Sequence, residues 1–362
     1  MTATAPRPTA TPERPEALPL RGRVVRTRRI STRVDVRSAL VCIVLAVAIV
    51  GVGSRSIMVG DFPLAIGDVW RTIIGRGTDD SEFIVGTLRL PRVLTGILVG
   101  AALGMSGAVF QSLARNPLGS PDIVGFDSGA ALGAVTMIVV VGGSSWEVAI
   151  GAVLGGIVTA ILVYIFAYKQ GLSAARLVLV GIGIGFATAA AVDYMIPRAD
   201  ITDVQRAAVW LTGSLNGRGW EHVRTVGFAL VVLAPLVIVA QRRLDRLELG
   251  DDTASALGVR VNSTKLMLVL VAVGLAALSV AAAGPIGFVA FVSGPSARRL
   301  TRSPGAAVVP AAFVGALVVV SADLVARRVL APTELPVGVA TAVMGAPYLI
   351  WLLPRSARAG SL

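Results

Sequence analysis

Charged side chains are scarce in this chain of 362 residues. Asp, Glu, Lys and Arg together make up 15% of it, whereas a soluble globular protein carries about 25%. Hydrophobic residues account for 55%, and the mean hydropathy is +0.79. A chain with so few charges cannot cover a water-facing surface with them, so we expect lipid to be its main solvent. Aromatic residues reach only 5%, so packing must rely on aliphatic side chains and on the 40 glycines.

Cysteine and histidine are almost absent, with Cys42 and His222 as the only examples. A disulfide within the chain is therefore excluded, and a zinc or haem site built from His and Cys cannot form. A Ser-His-Asp triad would have to use His222, which lies in a polar connection and which we interpret as a surface histidine. We predict no cofactor, no metal site and no catalytic site. An intramembrane enzyme would also need paired acids or a nucleophile in mid-membrane, and the sequence offers neither.

Lysine is nearly absent too, since only Lys169 and Lys265 occur among the 33 basic residues. The formal net charge of +12 is of the kind that nucleic-acid-binding proteins carry. The arginines, however, lie between apolar blocks and not along one face of a soluble fold. We therefore expect no nucleic-acid partner.

Long apolar blocks dominate what is present. Ten of them follow the basic N-terminal segment, at residues 38–53, 93–113, 123–141, 148–168, 177–195, 225–240, 266–283, 286–297, 306–326 and 337–353. A membrane-spanning helix needs about 20 residues, with about 17 as the practical minimum. Block 286–297 is too short by this measure and contains Pro295, so nine spans are an alternative to ten. The sequence predicts an all-α polytopic membrane protein with about ten transmembrane helices.

The distribution of basic residues predicts which side of the membrane each connection faces. If ten helices span the membrane and the N-terminus is inside, the inside segments hold 22 of the 33 basic residues. This excess agrees with the positive-inside rule. Removing one span would put the later loops on the wrong side. We therefore predict ten spans, with both termini in the cytoplasm.

The chain divides into three regions. Residues 1–37 form a basic segment that we predict to be disordered and cytoplasmic. Residues 38–354 form a single transmembrane domain, and residues 355–362 form a cytoplasmic tail. A signal peptide is the competing interpretation of block 38–53. Its charged lead is long and no small-x-small cleavage site precedes Ser54, so an uncleaved first helix is favoured.

Glycines recur every four residues in several blocks, which places them on one face of a helix. The sets are Gly96, Gly100 and Gly104; Gly125, Gly129 and Gly133; and Gly181 and Gly185. Such faces predict close helix contacts in a compact bundle. Intramembrane acids are functional candidates, and we favour Asp127, with Ser128, as lining a pathway. Asp193 and Asp323 are expected to lie near helix ends, either wet or paired.

An ordered set of short motifs runs from about residue 88 to residue 353. It comprises Arg89-Leu-Pro-Arg92, VGAALGMSGAVFQ at 99–111, Arg115-Asn-Pro-Leu118, GFDSGAA at 125–131, Trp210-Leu-Thr-Gly-Ser214, Ala256-Leu-Gly-Val259, GPIGFVAF at 284–291, AD-x-x-AR at 322–327, Glu334-Leu-Pro336 and Gly345-Ala-Pro347. In this order the motifs resemble those of the FecCD-type permeases of ABC importers for iron-siderophores, haem and cobalamin. One departure is visible, because that family commonly carries Pro-His or Pro-Gln where this chain reads Gly294-Pro295-Ser296.

The resemblance implies a type II ABC importer permease in the plasma (inner) membrane, working as a dimer of two copies or of two related chains. It implies a separate cytoplasmic ATPase, which agrees with the lack of a G-x-x-x-x-G-K phosphate loop in this sequence, and an extracytoplasmic solute-binding protein. The expected cargo is ferric siderophore, with cobalamin or haem as alternatives. A secondary transporter, which is less favoured, would work alone and would not need the loop at 242–265.

Site residues follow from the same resemblance, motif by motif. Loop 242–265 is expected to dock on the ATPase as two short amphipathic helices broken at Gly250, through Leu247, Gly250, Asp251, Ala254, Leu257 and Gly258. Three arginines, Arg89, Arg92 and Arg327, are expected to pair with acids of the binding protein. The translocation path along the dimer axis is expected to involve Asp127, Ser128, Gly181, Gly183, Gly185 and Thr188.

Overall fold

A computed structural model describes residues 23–27, 30–60, 62–169, 171, 173–330 and 333–359. Two five-residue strands, β1 (Arg23–Thr27) and β2 (Ile30–Val34), pair antiparallel with Arg23 opposite Val34. They lie within the segment predicted to be disordered. Residues 1–22, 28 and 29 of that segment lie outside the described residues, so the prediction for the segment as a whole remains a prediction.

Apart from the connecting loops, the rest of the described chain is helical. Its helices are α1 (Val36–Met58), α2 (Ile66–Ile73), α3 (Asp79–Ser81), α4 (Leu90–Ala114), α5 (Phe126–Thr136), α6 (Ser145–Ala167), α7 (Ala174–Met195), α8 (Ile201–Leu211), α9 (Trp220–Glu248), α10 (Asp251–Ala256), α11 (Val261–Ala283), α12 (Val289–Thr301), α13 (Val308–Ala326) and α14 (Val337–Ala359). A π-helical segment, Glu82–Arg89, leads into α4, and a second one, Met137–Val141, extends α5.

Each of the ten predicted apolar blocks overlaps one of these helices. Seven helices within the described ranges are long and apolar enough to cross a membrane, and Phe126–Val141 and Val337–Tyr348 are shorter apolar helices. The tenth, α12, has 13 residues and runs unbroken through Pro295. At about 1.5 Å per residue it is roughly 20 Å long, less than the ~30 Å hydrocarbon layer. The all-helical membrane fold is confirmed, and the count of ten spans is approximate.

Helix α4 forms the centre of the bundle, where it packs against α9, α11, α12 and α13. In its most apolar stretch 78% of the residues are buried within the chain, compared with 11% for α1 at the periphery. A Cβ atom on Gly100 would overlap the backbone of Gly315 in α13, and one on Gly104 would overlap Ala311. The two backbones are therefore in direct contact, as the glycine spacing predicted.

The other glycine faces form contacts of the same kind. Gly129 and Gly133 of α5 lie against Gly155 of α6. Gly125, which precedes α5 with φ +81°, lies against Gly181 and Gly185 of α7; a Cβ on Gly125 would lie 2.7 Å from the backbone of either residue. The glycines bring the backbones of these helices close together, with the side chain of Thr159 also lying against Gly129, so the close contacts predicted from the glycine spacing are confirmed here as well.

Apolar side chains cover much of the outer surface of the bundle. The more exposed ones include Ile43 and Val47 of α1, Ile165 and Phe166 of α6, Leu179 and Phe186 of α7, Val231 and Val239 of α9, and Val343 and Ile350 of α14. A surface of this kind is stable against lipid or against another apolar helix surface. The fold therefore belongs in a membrane.

Candidate functional site

Polar side chains gather at the two ends of α4. The Arg92 end, where α4 begins, holds a buried ion network. Arg92 of α4 donates to Asp323 of α13 at 2.9 Å and to Glu334 at 2.9 Å, and the Nε of Arg327 lies 3.3 Å from Asp323. The side chain of Asp323 is 4% exposed and that of Arg92 is 11% exposed. This network joins α4, α13 and the segment before α14.

The remaining predicted docking arginine also has internal partners. The guanidinium of Arg89 donates to the carbonyl oxygens of Ile57 at 2.7 Å and Phe62 at 2.8 Å. Arg327 donates to the backbone and the hydroxyl of Ser56, which ties α1 to α13. Burial lowers the pKa of Arg327, with Asp323 acting in the opposite direction. All three predicted arginines thus bind within the chain, and Glu334, with 39% of its side chain exposed, is the acid of the network that solvent reaches most.

The Asp251 end, where α4 finishes, carries the loop that the sequence singled out. Helix α9 continues to Glu248, Gly250 breaks it with φ +111°, and α10 follows. The prediction of two short helices broken at Gly250 needs one correction, because the first of them is the last turns of α9 and not a separate element. Gly258, with φ +80°, follows α10.

The apolar residues of this loop divide into two sets. Leu247 and Ala254 are buried against the bundle. Leu249 is 64% exposed and Leu257 is 50% exposed. The loop thus exposes two leucines while burying apolar residues beside them, which leaves a small apolar surface uncovered within the described chain.

Asp251, at the first position of α10, binds two cations of the bundle. One carboxylate oxygen lies 2.6 Å from Arg115, the residue that ends α4 with φ +49°, and the other lies 2.6 Å from Lys265 of α11. Arg115 also donates to the carbonyl of Leu247 at 3.0 Å. Sequence reasoning gave Arg115 and Lys265 no role, and no local spacing links them to Asp251, which is 136 and 14 residues away.

A second polar cluster lies at the same end. Arg298 of α12 donates to the hydroxyl of Ser112 at 2.7 Å and lies 3.4 Å from Glu248, the last residue of α9. Asp245, one turn earlier in α9, accepts from the backbone amide of Ala306 at 3.0 Å. These contacts join α9 to α4, α12 and the start of α13 through short polar links.

The predicted pathway residues lie around the crossing of α5 and α7. Asp127 and Ser128 are in the first turn of α5, next to the contact of Gly125 with Gly181 and Gly185. Gly183 lies on the other side of α7, with no atom of another residue within 4 Å of a Cβ built there. The hydroxyl of Thr188 donates to the carbonyls of Ile184 and Gly185 in its own helix. The structure thus brings Asp127, Ser128 and two of the glycines together, and Gly183 faces away from them.

Asp122, which the sequence did not single out, lies just before α5. Its Oδ2 accepts from the backbone amide of Phe288, the residue just before α12, which has φ +68°, at 3.0 Å. Its Oδ1 is buried, with no hydrogen-bond partner among the described residues. Burial raises the pKa of Asp122 to about 6, against the opposing effect of the Phe288 amide. The departure noted at 294–296 lies in α12, where Ser296 is 3.2 Å from the hydroxyl of Tyr348.

These features define a helical membrane transport protein with a compact core, a largely buried ion network at one end and a loop with two exposed leucines at the other. The chain belongs to the FecCD transport family, whose model matches residues 42–355. The predicted resemblance is therefore confirmed.

Named relatives match over nearly their whole length. The ferric enterobactin transport system permease protein FepG of Escherichia coli (strain K12) is 40% identical over 322 residues, which is 89% of this chain and 98% of that protein. The Fe(3+)-citrate import system permease protein YfmE of Bacillus subtilis (strain 168) is 37% identical, over 91% of this chain and 98% of that one. A solved metal-chelate type ABC transporter in an inward-facing conformation superposes with a TM-score of 0.80 at 27% identity, over 88% of this chain and 99% of that chain.

Proposed function

We propose that this permease carries ferric siderophore inward across the plasma (inner) membrane. The observation that carries the proposal is the match, over 98% of their lengths, to permeases named for ferric enterobactin and for Fe(3+)-citrate. Both names describe an Fe(3+) chelate, which favours ferric siderophore over cobalamin or haem.

The Asp251 end faces the cytoplasm in this proposal, and the Arg92 end faces outward. The excess of basic residues in the segments that would then be inside supports this orientation. Both termini are then cytoplasmic.

A separate ATPase binds at the Asp251 end. Leu249 and Leu257 supply exposed apolar contacts for it, and Asp251 transmits the movement of α10 to α4 and α11 through Arg115 and Lys265. Two bonds of 2.6 Å from a single carboxylate leave α10 little freedom to move independently of the bundle. The chain therefore needs no nucleotide site of its own to respond to ATP hydrolysis elsewhere.

A solute-binding protein docks at the Arg92 end. Since Arg92 is already bound to Asp323 and Glu334, direct pairing with an acid of the binding protein requires exchange. Glu334 is the partner that can be exchanged, because it is exposed while Asp323 is enclosed. Docking then replaces one carboxylate on Arg92 with another, at small electrostatic cost.

A second permease subunit, a copy of this chain or a related one, completes the path. Helices α7 and α14 both expose large apolar residues, such as Phe186 and Val343. Gly183 lies on the face of α7 that points away from α5, with open space beside it. The two subunits would meet along these helices, with Asp127 and Ser128 near the path between them.

Uptake of radiolabelled ferric siderophore tests the proposal. A strain without this chain is compared with the same strain after its restoration, each with ATP depleted or with the proton gradient collapsed. Uptake that requires the chain, fails on ATP depletion and survives loss of the gradient supports ABC import of this cargo. Uptake that requires the chain and fails with the gradient would overturn it in favour of a secondary transporter, and uptake independent of the chain would overturn the cargo.

A further inference from the structure

A cavity of about 870 Å³ opens at the Arg92 end, away from the crossing of α5 and α7. It lies between the start of α6, helix α8, the start of α9 and the end of α11. The proposed path does not use it, and among the residues named for the proposed docking surface it shares only Glu334. Its volume is that of a site for a small organic molecule.

The inner part of the cavity is apolar. Ile138, Val148 and Ala149 line it from the α5–α6 side, and Ala281 and Ala282 line it from α11. These residues lie within four positions of the ends of Met137–Val141, α6 and α11, so in the proposed orientation this part of the cavity lies near the headgroup end of the lipid chains. Small side chains on α11 leave the space open.

Tryptophan and arginine side chains line the cavity as well. Trp146, which is 67% exposed, begins α6, and Trp210 is in the last turn of α8. Tryptophan is typical of the membrane–water interface, where its ring meets the lipid headgroups. Arg206 also lines the cavity, although it is already paired with Asp203 at 3.4 Å.

Arg218 is the cation without a matching acid. Its Nε donates to the carbonyl of Ser214 at 3.1 Å, and its Nη1 lies 3.2 Å from Nε2 of His222. Among the described residues, none places a carboxylate oxygen within 4.0 Å of it; the acid that acts on it, Glu221, is 73% exposed and lies beside His222. Burial lowers the pKa of Arg218, so a bound anion would be favourable there. Glu334, the other acid that lines the cavity, is bound to Arg92.

We propose that this cavity binds an anionic phospholipid, with its phosphate on Arg218 and the first part of an acyl chain along the apolar floor. A guanidinium binds phosphate oxygens through parallel hydrogen bonds. A soluble anion would use the cation but not the floor, and a neutral lipid tail would use the floor but not the cation. The combination of Arg218, Trp146 and the alanines of α11 fits a molecule that has both parts. His222, which we interpreted from the sequence as a surface residue, then lies next to the bound headgroup.

Native mass spectrometry and thermal stability of the purified chain test this. Phosphatidylglycerol, phosphatidylcholine and soluble glycerol phosphate are added separately to the wild type, to Arg218→Gln and to Arg224→Gln. Arg224 is an exposed arginine one turn into α9 that does not line the cavity, so its variant controls for loss of one positive charge.

We expect one phosphatidylglycerol to be retained by the wild type and by Arg224→Gln, and at least about tenfold less to be retained by Arg218→Gln. Ala149→Phe, which fills the floor without touching the charge, should displace the lipid as well. Equal retention by Arg218→Gln, equal binding of phosphatidylcholine, or protection by glycerol phosphate alone would each overturn the proposal. If Arg218→Gln does not fold, lipid retention by Ala149→Phe at the wild-type level overturns it equally.

Discussion

Single residues carry the stability of the Arg92 end. The side chain of Asp323 is 4% exposed, and its carboxylate neutralises both Arg92 and Arg327. Removing its charge leaves two guanidinium groups with too few acids, in a place that water hardly reaches. Loss of one partner from a buried ion pair is far more costly than loss of the pair as a whole.

The first prediction concerns this carboxylate. Asp323→Asn should lower the free energy of unfolding by about 3 kcal/mol, whereas Asp68→Asn, which removes an exposed pair with Arg71, should change it by less than about 0.5 kcal/mol. In that surface pair the side chain of Arg71 is 72% exposed and that of Asp68 is 53% exposed. Denaturant titration in detergent measures both. Equal effects would mean that the ion network adds no more than a surface pair does.

Glu334 is the residue at which docking can be tested. If an acid of the binding protein takes its place on Arg92, then Glu334→Gln removes a competitor and affinity should rise roughly two- to fivefold. Glu221→Gln, which alters an exposed acid of the same end, is the control. Surface plasmon resonance with the purified binding protein gives both affinities. Weaker binding by Glu334→Gln would show that Glu334 itself makes the contact.

The raised pKa of Asp122 predicts that the stability of the fold depends on pH. Its pKa in the folded chain is about 6, above the ordinary value of 3.8, so the folded state binds this proton more tightly than the unfolded state does. The contribution of Asp122 to the free energy of unfolding is therefore fully present below pH 4, and it is lost as the pH rises through 6. Asp122→Asn should stabilise the chain by about 1–2 kcal/mol at pH 7.5 and by almost nothing at pH 4. Thermal midpoints at the two pH values test this, and a gain that is equal at both would contradict it.

At the scale of elements, α10 is a short helix fixed at its first residue. Leu257, the residue after it, is exposed, so in the proposed mechanism a partner that binds there displaces α10, and one carboxylate transmits the displacement to the bundle. The adjacent Asp252 is exposed and offers a matched comparison in the same turn.

Asp251→Asn should therefore reduce uptake per ATP hydrolysed by about fivefold, a coupling loss of ~1 kcal/mol, while the complex still assembles. Asp252→Asn should leave that ratio unchanged. Reconstituted vesicles with the ATPase present give uptake and hydrolysis together. A parallel fall in both rates at Asp251→Asn, with the ratio intact, would limit Asp251 to holding the fold.

The elements show what could be predicted from sequence and what could not. Apolar blocks and glycine spacing are local patterns, so they predicted the helices and the contacts of Gly100 and Gly104 correctly. The pairing of Arg92 with Asp323 spans 231 residues, and no local period reports it. The family resemblance suggested three arginines available to a partner, whereas each of them has partners inside the chain. The extension of α9 to Glu248 was missed because the run of charges after residue 240 hid its continuous helical period.

At the scale of the whole molecule, the lone cysteine allows the orientation to be measured. In a Cys42→Ser background, Asn216→Cys and Asp252→Cys each introduce one exposed thiol, at the Arg92 end and the Asp251 end respectively. An impermeant maleimide should label the Asn216 variant in intact cells and the Asp252 variant only after the membrane is opened. Reversed labelling would invert the proposed topology.

The direct backbone contact between α4 and α13 has a mechanical consequence. These helices touch at Gly100–Gly315 and Gly104–Ala311 and are joined again, at one end, by Arg92 and Asp323. At the two backbone contacts no side chains lie between the helices, so side-chain rearrangement cannot accommodate sliding or tilting of one helix against the other. We expect α4 and α13 to move as one rigid unit. The movements that open and close the path during a transport cycle should therefore occur in the peripheral helices α7 and α14.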